Sequence, residues 1–195
     1  MARDRASRPE AKPLRLFVAV SIPEEAKAAI ATALAPWRRE FPRARWAPPE
    51  NWHVTLRFLG STWPRLVEWV QEQVADVAAK AGPFQTRVES LGAFPSAEHA
   101  RVLWAGLEDP DERTGGIVWD LNAALAGEFP AETRAFRPHL TVARSDPPLH
   151  LPATFSQTAL QTEEFLIDRL VLFRSHLRRP APFYEQLGSY RLGGG

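Results

Sequence analysis

The chain has 195 residues, of which 45% are hydrophobic and 24% charged, a composition typical of a globular domain long enough to bury a core. It contains no cysteine, which excludes disulfides, thiolate nucleophiles and cysteine-ligated zinc. The formal net charge is only +1, and no run of 18 apolar residues predicts a membrane span. Without an apolar signal core at its N-terminus, the chain is predicted to be cytoplasmic.

The N-terminal quarter predicts a tail, a strand, a helix and a loop. Residues 1–13 are polar, charged and proline-bearing, which predicts disorder. The apolar run Leu14–Ile22 predicts a buried strand, and Pro23 followed by two glutamates predicts the start of a helix. We expect Pro36 to end or kink this helix. Residues 41–50 then form a proline-rich loop.

The stretch 51–60, NWHVTLRFLG, has the period of 2 that is typical of a strand. One face is apolar and is expected to face the core, whereas the other carries three groups that can donate hydrogen bonds to an anion. The first face comprises Val54, Leu56 and Phe58, and the second comprises His53, Thr55 and Arg57.

The middle of the chain predicts two helices, two strands and a loop. Helical spacing of apolar residues marks the first helix, and Gly82 stands where its C-terminal cap belongs. The predicted elements are a helix over 64–81, strands over 84–91 and 101–107, a helix over 117–126 and a loop over 127–138.

A second polar strand, PHLTVAR, follows that loop at residues 138–144. His139 and Thr141 share one face, and Leu140 and Val142 share the core face. The order histidine, apolar residue, threonine therefore occurs twice, and each copy follows a strand, a helix and a loop. The sequence predicts two similar halves that face each other across a cleft.

The C-terminal part predicts a loop and a hairpin. The segment SDPPLHLP after Arg144 reads as a loop, and residues 153–163 fit either helix or coil. Strands are predicted over 164–175 and 183–192, and residues 193–195 as a flexible end. Irregular alternation of strands and helices indicates one α+β domain over 14–192, with antiparallel or mixed sheets.

Two histidines on facing strands suit displacement at phosphorus. Imidazole titrates near pH 6.5, so that one copy can accept a proton while the other donates one. The threonine hydroxyls can bond the non-bridging phosphate oxygens. The remaining histidines, His99, His150 and His176, have no repeated context. A histidine-only metal site stays open, although no histidine pair has the spacing i, i+4 and no acid neighbours either motif.

These motifs resemble the paired His-x-Thr motifs of the two-histidine phosphoesterase superfamily. HVTLRFLG and FRPHLTVAR carry the resemblance, together with LRLFVAVSIP, LGAFP, RVLWAGL, and the closing LVLFRSHL and FYEQLGSYRL. Within the superfamily, the chain resembles the RNA 2′,3′-cyclic phosphodiesterases, also called 2′-5′ RNA ligases. The resemblance extends from about residue 14 to residue 192.

The resemblance implies a bilobal, pseudo-twofold α+β fold, with two antiparallel or mixed sheets and outer helices around a central groove. It implies hydrolysis of a terminal RNA 2′,3′-cyclic phosphate to a 2′-phosphomonoester, with reversible 2′-5′ joining as a further activity. It implies an RNA partner and catalysis without a metal, and we expect a monomer that needs no cofactor and does not bind membrane. His53 and His139 match the catalytic residues, and Thr55, Thr141 and Arg144 the substrate-binding residues.

We assign His53 as general acid toward the leaving 3′ oxygen and His139 as general base on water, and the pseudo-twofold symmetry leaves the reverse order open. Strict alternation places Arg144 on the wrong face, so it can contact substrate only if the strand ends or bulges there. Trp46 and Phe94 are candidates for stacking on a base. Two alternatives stay open: a phosphodiesterase of small cyclic nucleotides or ADP-ribose cyclic phosphate, and an RNA-binding module without catalysis.

Overall fold

The computed structural model describes residues 12–179 and 181–193. The predicted disordered tail therefore lies almost wholly outside the described residues, as do Gly194 and Gly195 at the other end. Gly193 is described, and its backbone N–H donates to the carbonyl oxygen of Ala78 at 3.0 Å. This bond ties the end of the described chain to a helix.

Strands dominate the described part of the chain, and three helices accompany them. The strands are β1 Leu14–Ser21, β2 Arg45–Trp46, β3 His53–Thr62, β4 Phe84–Thr86, β5 Val88–Phe94, β6 Ala100–Leu107, β7 His139–Leu149, β8 Phe165–Ile167, β9 Arg169–His176 and β10 Phe183–Arg191. The helices are α1 Glu24–Glu40, α2 Val67–Lys80 and α3 Arg113–Ala124.

Eight strands form one sheet in which every pairing is antiparallel. Its order is β10-β9-β1-β3-β7-β6-β5, with β2 paired to β7, and β4 and β8 form a separate two-stranded sheet. The large sheet consists of two lobes that meet where β3 lies beside β7, at the pair Val54 and Leu140. The α+β class is confirmed, and the sheets are antiparallel rather than mixed.

The helices pack their apolar faces onto this sheet. Val70, Val74 and Val77 of α2 are at most 4% exposed and recur at the spacing of one helical face. Helix α2 contacts α3, β9 and β10. The opposite face of the sheet is thereby left free for the polar residues of β3 and β7. No helix of the described chain is long and apolar enough to span a membrane.

Pro36 does not end helix α1, which was one of the two outcomes expected from the sequence. The helix continues to Glu40 with Pro36 inside it. Trp37, the next residue, is 8% exposed, and its indole N–H donates to the hydroxyl of Thr158 at 2.9 Å. Burial of this large ring anchors the last turn and offsets the backbone hydrogen bond that proline cannot make.

Strand β7 is longer than predicted, because the segment after Arg144 is not a loop. The strand runs to Leu149, which pairs with Ala100 of β6. Pro147 and Pro148 lie beyond the part of β7 that pairs with β2 or β3, so this stretch has β6 as its strand neighbour. Proline is tolerated in an edge position of this kind, where its missing N–H points away from the ladder.

Other boundaries shift by a few residues. The strand predicted over 84–91 is divided into β4 and β5, and α3 begins four residues earlier than predicted. Helix α2 starts after a short 3-10 turn, and its C-terminal cap is Ala81 in an extended conformation rather than Gly82. The predicted C-terminal hairpin is confirmed as β9 and β10.

Candidate active site

The two His-x-Thr motifs lie side by side where the lobes meet. β3 and β7 run antiparallel with Val54 opposite Leu140. Continuing this register by one residue in each direction places His53 opposite Thr141, and Thr55 opposite His139. All four polar residues line one cavity of about 490 Å³. The structure thus brings together the pairs that the sequence predicted to face a common cleft.

His53 is held by aromatic rings on one lobe. Its ring stacks on Phe17 with the centroids 4.7 Å apart, and Tyr184 meets it edge-on at 5.1 Å. Its Nδ1 atom lies 2.8 Å from the carbonyl oxygen of Asn51. Burial lowers the pKa of His53 from 6.5 to about 4, because the rings remove the water that solvates an imidazolium.

His139 has a matching environment on the other lobe. Its Nδ1 atom lies 2.6 Å from the carbonyl oxygen of Arg137. Phe94 meets its ring edge-on at 5.0 Å, and the ring of Trp104 lies at 6.2 Å. Burial lowers the pKa of His139 as well, and the bond to the Arg137 carbonyl partly opposes this shift.

Both histidines therefore have the same tautomer imposed by the backbone. A carbonyl oxygen only accepts, so Nδ1 of His53 and of His139 must carry the proton that each donates. Nε2 of each ring is left to accept or to deliver a proton. Two such groups beside two hydroxyls form a site for acid–base catalysis on a small anion.

A β-bulge changes the facing of β3 after Thr55. Ala19 of β1 is opposite Thr55, but Val18, the preceding residue of β1, is opposite Arg57, so that Leu56 is the extra residue. Alternation therefore fails beyond Thr55. Phe58, expected in the core, is 44% exposed and lines the cavity.

The same bulge turns Arg57 into the protein, so its expected position beside His53 is wrong. Arg57 is only 4% exposed, and its guanidinium donates to the carbonyl oxygen of Pro130. Pro130 belongs to the segment that leads to β7. Arg57 thus links the strand of the first motif to the approach of the second, and it does not face the cavity.

A second bulge lies at the equivalent place in β7. Trp104 of β6 is opposite Thr141, and the preceding residue Leu103 is opposite Ala143, so that Val142 is the extra residue. This bulge brings Arg144 to the face of His139 and Thr141, where it lines the cavity. The condition under which Arg144 could reach substrate is met.

The charges around the cavity have one sign. The charged residues that line it are Arg15, Arg45 and Arg144, and Arg45 of β2 is opposite Arg144 of β7. Within the described ranges, no group of three or more His, Asp or Glu side chains is arranged to hold a metal ion. Because the described residues that line the cavity include arginines and no carboxylate, the cavity favours an anionic ligand.

The sequence did not identify three further residues that line the cavity. Arg15 and Phe17 share one face of β1, and Tyr184 comes from β10. An arginine inside the otherwise apolar run LRLFVAV was the available signal. Of the two stacking candidates, Trp46 lines the cavity, whereas Phe94 packs against His139 as described above.

The other histidines take no part in this lining. His99 is exposed in the turn before β6. His176 lies 2.7 Å from a carboxylate oxygen of Glu185 on the neighbouring strand. His150 follows the end of β7 and is exposed.

The chain is similar in sequence and in fold to known proteins. The family model described as LigT-like phosphoesterase matches residues 20–104, which include the first motif. The RNA 2′,3′-cyclic phosphodiesterase of Thermus thermophilus is 31% identical over 196 residues, covering 93% of this chain and 91% of that protein. The solved structure of TT0787 from Thermus thermophilus superposes with a TM-score of 0.77 at 29% identity, covering 93% of this chain and 99% of the other.

A longer relative has the same name. The RNA 2′,3′-cyclic phosphodiesterase of Geobacillus stearothermophilus is 31% identical over 182 residues. The alignment covers 91% of this chain but 57% of that protein, so this chain spans little more than half of the relative's length.

Proposed function

Because the chain belongs to the LigT-like phosphoesterase family, we propose that it hydrolyses the 2′,3′-cyclic phosphate at the end of an RNA to a 2′-phosphomonoester. The observation that carries the proposal is the cavity in which both His-x-Thr motifs meet. Relatives named RNA 2′,3′-cyclic phosphodiesterase support the choice of substrate.

The phosphate binds between the two threonines. The hydroxyls of Thr55 and Thr141 donate to its non-bridging oxygens, where negative charge grows as water attacks. Arg144, brought to this face by the bulge in β7, adds a charge-assisted contact. These three residues hold the phosphorus atom so that the attacking and leaving oxygens lie on opposite sides of it.

His139 and His53 then move the protons. Nε2 of His139 accepts a proton from water, and Nε2 of His53 delivers one to the leaving 3′ oxygen. The bond between phosphorus and the 3′ oxygen breaks, which leaves the phosphate on the 2′ oxygen. This order of the two histidines is our assignment, and the similarity of their surroundings makes each competent for either role.

In the free protein, the lowered pKa values of His53 and His139 suit the general base but oppose the protonation that the general acid needs. Burial keeps both imidazoles neutral near pH 7, so His139 is ready to accept a proton. His53 must gain a proton before it can act as an acid. The anionic phosphodiester favours that protonation because it places negative charge beside the ring. Substrate binding thereby prepares the acid.

We attribute the proposed preference for RNA over smaller cyclic phosphates to Trp46, which lines the cavity. The indole N–H of Trp46 donates to the carbonyl oxygen of Phe41 at 3.1 Å, and the Arg38 guanidinium lies 5.5 Å from the Trp46 ring centroid. A ring fixed in this way offers a surface on which a base can stack. We propose a non-catalytic binding role for Trp46, and catalysis by the histidines.

We also propose that the protein acts as a monomer in the cytoplasm. Both histidines, both threonines and Arg144 of one copy line the same cavity, so a site of this kind does not require a second copy. Light scattering coupled to gel filtration tests the first statement, and cell fractionation tests the second.

The decisive experiment is digestion of an RNA oligomer that ends in a 2′,3′-cyclic phosphate. We expect a 2′-phosphate end, separated from the 3′ isomer by chromatography. A product with mainly 3′-phosphate would contradict the orientation but not the two-histidine site. Comparison of kcat/KM with that for a 2′,3′-cyclic mononucleotide decides between RNA and small cyclic nucleotides, and no turnover of either would favour a binding module.

A further inference from the structure

Asn51 makes two hydrogen bonds that connect separate parts of the cavity wall. Its backbone carbonyl oxygen accepts from Nδ1 of His53 at 2.8 Å. Its side-chain amide donates to the carbonyl oxygen of Pro182, also at 2.8 Å, and Pro182 lies 131 residues further along the chain. One residue therefore links the ring of the first motif to the C-terminal hairpin.

The local structure aims both groups of Asn51. A 3-10 turn over Pro49–Asn51 precedes β3, and the backbone N–H of Asn51 donates to the carbonyl oxygen of Pro48 at 2.9 Å. Trp52, the next residue, is 2% exposed, so burial of its ring anchors the turn. The carbonyl of Asn51 ends the turn, where such groups need a partner from outside it. The His53 ring supplies that partner.

The connection between β9 and β10 forms the wall of the cavity beside His53. Three residues of this connection line the cavity, namely Leu177, Ala181 and Pro182. Tyr184 follows two residues after Pro182 and meets the His53 ring edge-on at 5.1 Å. Leu177 is 77% exposed, so burial of apolar surface does little to hold its end of the connection. The bond from Asn51 is a polar restraint on the other end.

The second lobe holds its corresponding carbonyl in another way. The oxygen that accepts from Nδ1 of His139 belongs to Arg137, and Pro138 follows Arg137. A residue before proline is restricted to extended conformations, so the backbone alone limits the direction of this carbonyl. Trp52 imposes no such limit on Asn51. The first lobe has a side-chain bond where the second has a proline.

We propose that Asn51 is a positioning residue for His53. The side chain and the carbonyl of Asn51 share one Cα atom, so the bond to Pro182 restrains rotation of the carbonyl and keeps it aimed at Nδ1. The proton then stays on Nδ1, and Nε2 is held toward the phosphate. The inference rests on the proposed function for the reaction that His53 serves. Asn51 acts through the ring and not on the reacting atoms.

The test measures the tautomer of each ring in the free protein. Two-dimensional nitrogen NMR of protein with isotopically labelled histidine distinguishes rings protonated at Nδ1 from rings protonated at Nε2, at about pH 8, where histidine is neutral. We expect His53 to be protonated at Nδ1 in the unmodified protein and to be a mixture of both tautomers in Asn51→Ala. His139 should keep its Nδ1 proton in both proteins and is the internal control.

Turnover of RNA that ends in a cyclic phosphate is the second measurement. We expect Asn51→Ala to lower kcat by about three- to tenfold, the range of one net hydrogen bond. Asn51→Leu keeps the branched shape but has no donor, so it should give the same mixture of tautomers and the same loss. This second variant separates the missing bond from the missing volume.

Gln71→Ala is the matched control. The amide of Gln71 also donates to a carbonyl oxygen of β10, that of Leu187 at 3.0 Å, but it does so from helix α2. Its removal should change neither the tautomer of His53 nor kcat. An effect equal to that of Asn51→Ala would overturn the proposal, because it would reflect a general loosening of β10. Circular dichroism melting curves establish that each variant is folded.

The remaining outcomes also decide the proposal. A single Nδ1 tautomer of His53 in Asn51→Ala and Asn51→Leu would overturn it, and so would mixed tautomers in the unmodified protein. Mixed tautomers with an unchanged kcat in the variants would show that the carbonyl does not matter for turnover. If the unmodified protein turns over no cyclic-phosphate RNA, the proposed function fails, and the NMR measurement alone decides whether Asn51 positions the His53 ring.

Discussion

Val54 and Leu140 face each other across the junction of the two lobes, and both side chains are completely buried. Each stands between the histidine and the threonine of its motif. The pair thus sets the register that places His53 opposite Thr141, and it anchors the catalytic face to the core beneath it. Packing at this pair and geometry of the site are consequently linked.

Truncation of Leu140 should reduce the stability of the fold. Leu140→Ala removes a fully buried side chain, and we expect the free energy of unfolding to fall by about 2–5 kcal/mol. Urea titration followed by circular dichroism measures the loss. Leu166→Ala, at a residue that is 52% exposed on β8, is the control and should cost no more than about 0.5 kcal/mol. A loss below about 1 kcal/mol for Leu140→Ala would show that the junction is not firmly packed.

Removal of either histidine should abolish most of the turnover. We expect His53→Ala and His139→Ala each to lower kcat by at least about 10², the lower range for acid–base catalysis, on RNA that ends in a cyclic phosphate. His99→Ala, at an exposed histidine outside the cavity, should leave kcat unchanged. Near-full activity in a folded His53 or His139 variant would disprove the two-histidine mechanism.

The pH dependence of activity should differ between the free enzyme and the complex. Because burial lowers the pKa of both histidines, the optimum of kcat/KM should lie below pH 6.5. The phosphodiester anion raises both values in the complex, so the optimum of kcat should lie at higher pH. The two limbs of each pH profile report the titration of both histidines as a coupled pair rather than of one residue each. His53→Ala should flatten the basic limb and His139→Ala the acidic limb, and the converse result would exchange their roles.

Stability should fall on acidification through His53. Above pH 6.5 its ring is neutral in both states and contributes no pH dependence. Between 6.5 and about 4, the unfolded chain binds a proton that the buried ring does not, so the free energy of unfolding decreases by up to about 3 kcal/mol as pH falls. Urea titrations at pH 7 and pH 4.5 measure this, and His53→Asn should show a smaller difference. An equal difference would mean that another group causes the loss.

Chelation should leave activity unchanged. The proposed chemistry uses imidazoles and hydroxyls, and none of the described residues that line the cavity is a carboxylate. Turnover is measured with and without excess EDTA, after extensive dialysis. Loss of activity that a divalent ion restores would reassign His53 and His139 from proton transfer to metal binding.

Sequence alternation located the four central residues because nothing interrupts it within each motif. His53 and Thr55 are two residues apart with no bulge between them, and the same is true of His139 and Thr141. Any extended strand puts such pairs on one face. Their meeting in one cavity was inferred from the duplication alone, and the antiparallel register at Val54 confirmed it.

Beyond the two motifs, the local sequence pattern did not predict which side chains face the cavity or where the elements end. Arg57 and Phe58 exchanged their expected faces because a bulge depends on how β3 pairs with β1, which the sequence of β3 does not encode by itself. Phe17 and Tyr184 reach His53 from strands that are distant in the sequence. The sequence around Pro36 predicts the end of a helix, and the sequence around Pro147 predicts the end of a strand. Burial of Trp37 keeps helix α1 continuous. At Pro147, strand β7 has only β6 as its strand neighbour among the described strands, so that the missing N–H is tolerated.

The two bulges have a consequence for how these strands can vary in length. Leu56 and Val142 are each one residue more than the neighbouring strand needs, and they determine that Phe58 and Arg144 face the cavity. Deletion of Leu56 or Val142 would remove the bulge and leave Phe58 and Arg144 on the cavity face, because each would then stand two residues after the threonine of its motif. Deletion of Val54 or Leu140 would instead place the histidine and the threonine of a motif on opposite faces of the strand. A change of length in β3 or β7 should therefore be tolerated at the bulge and not within the motif.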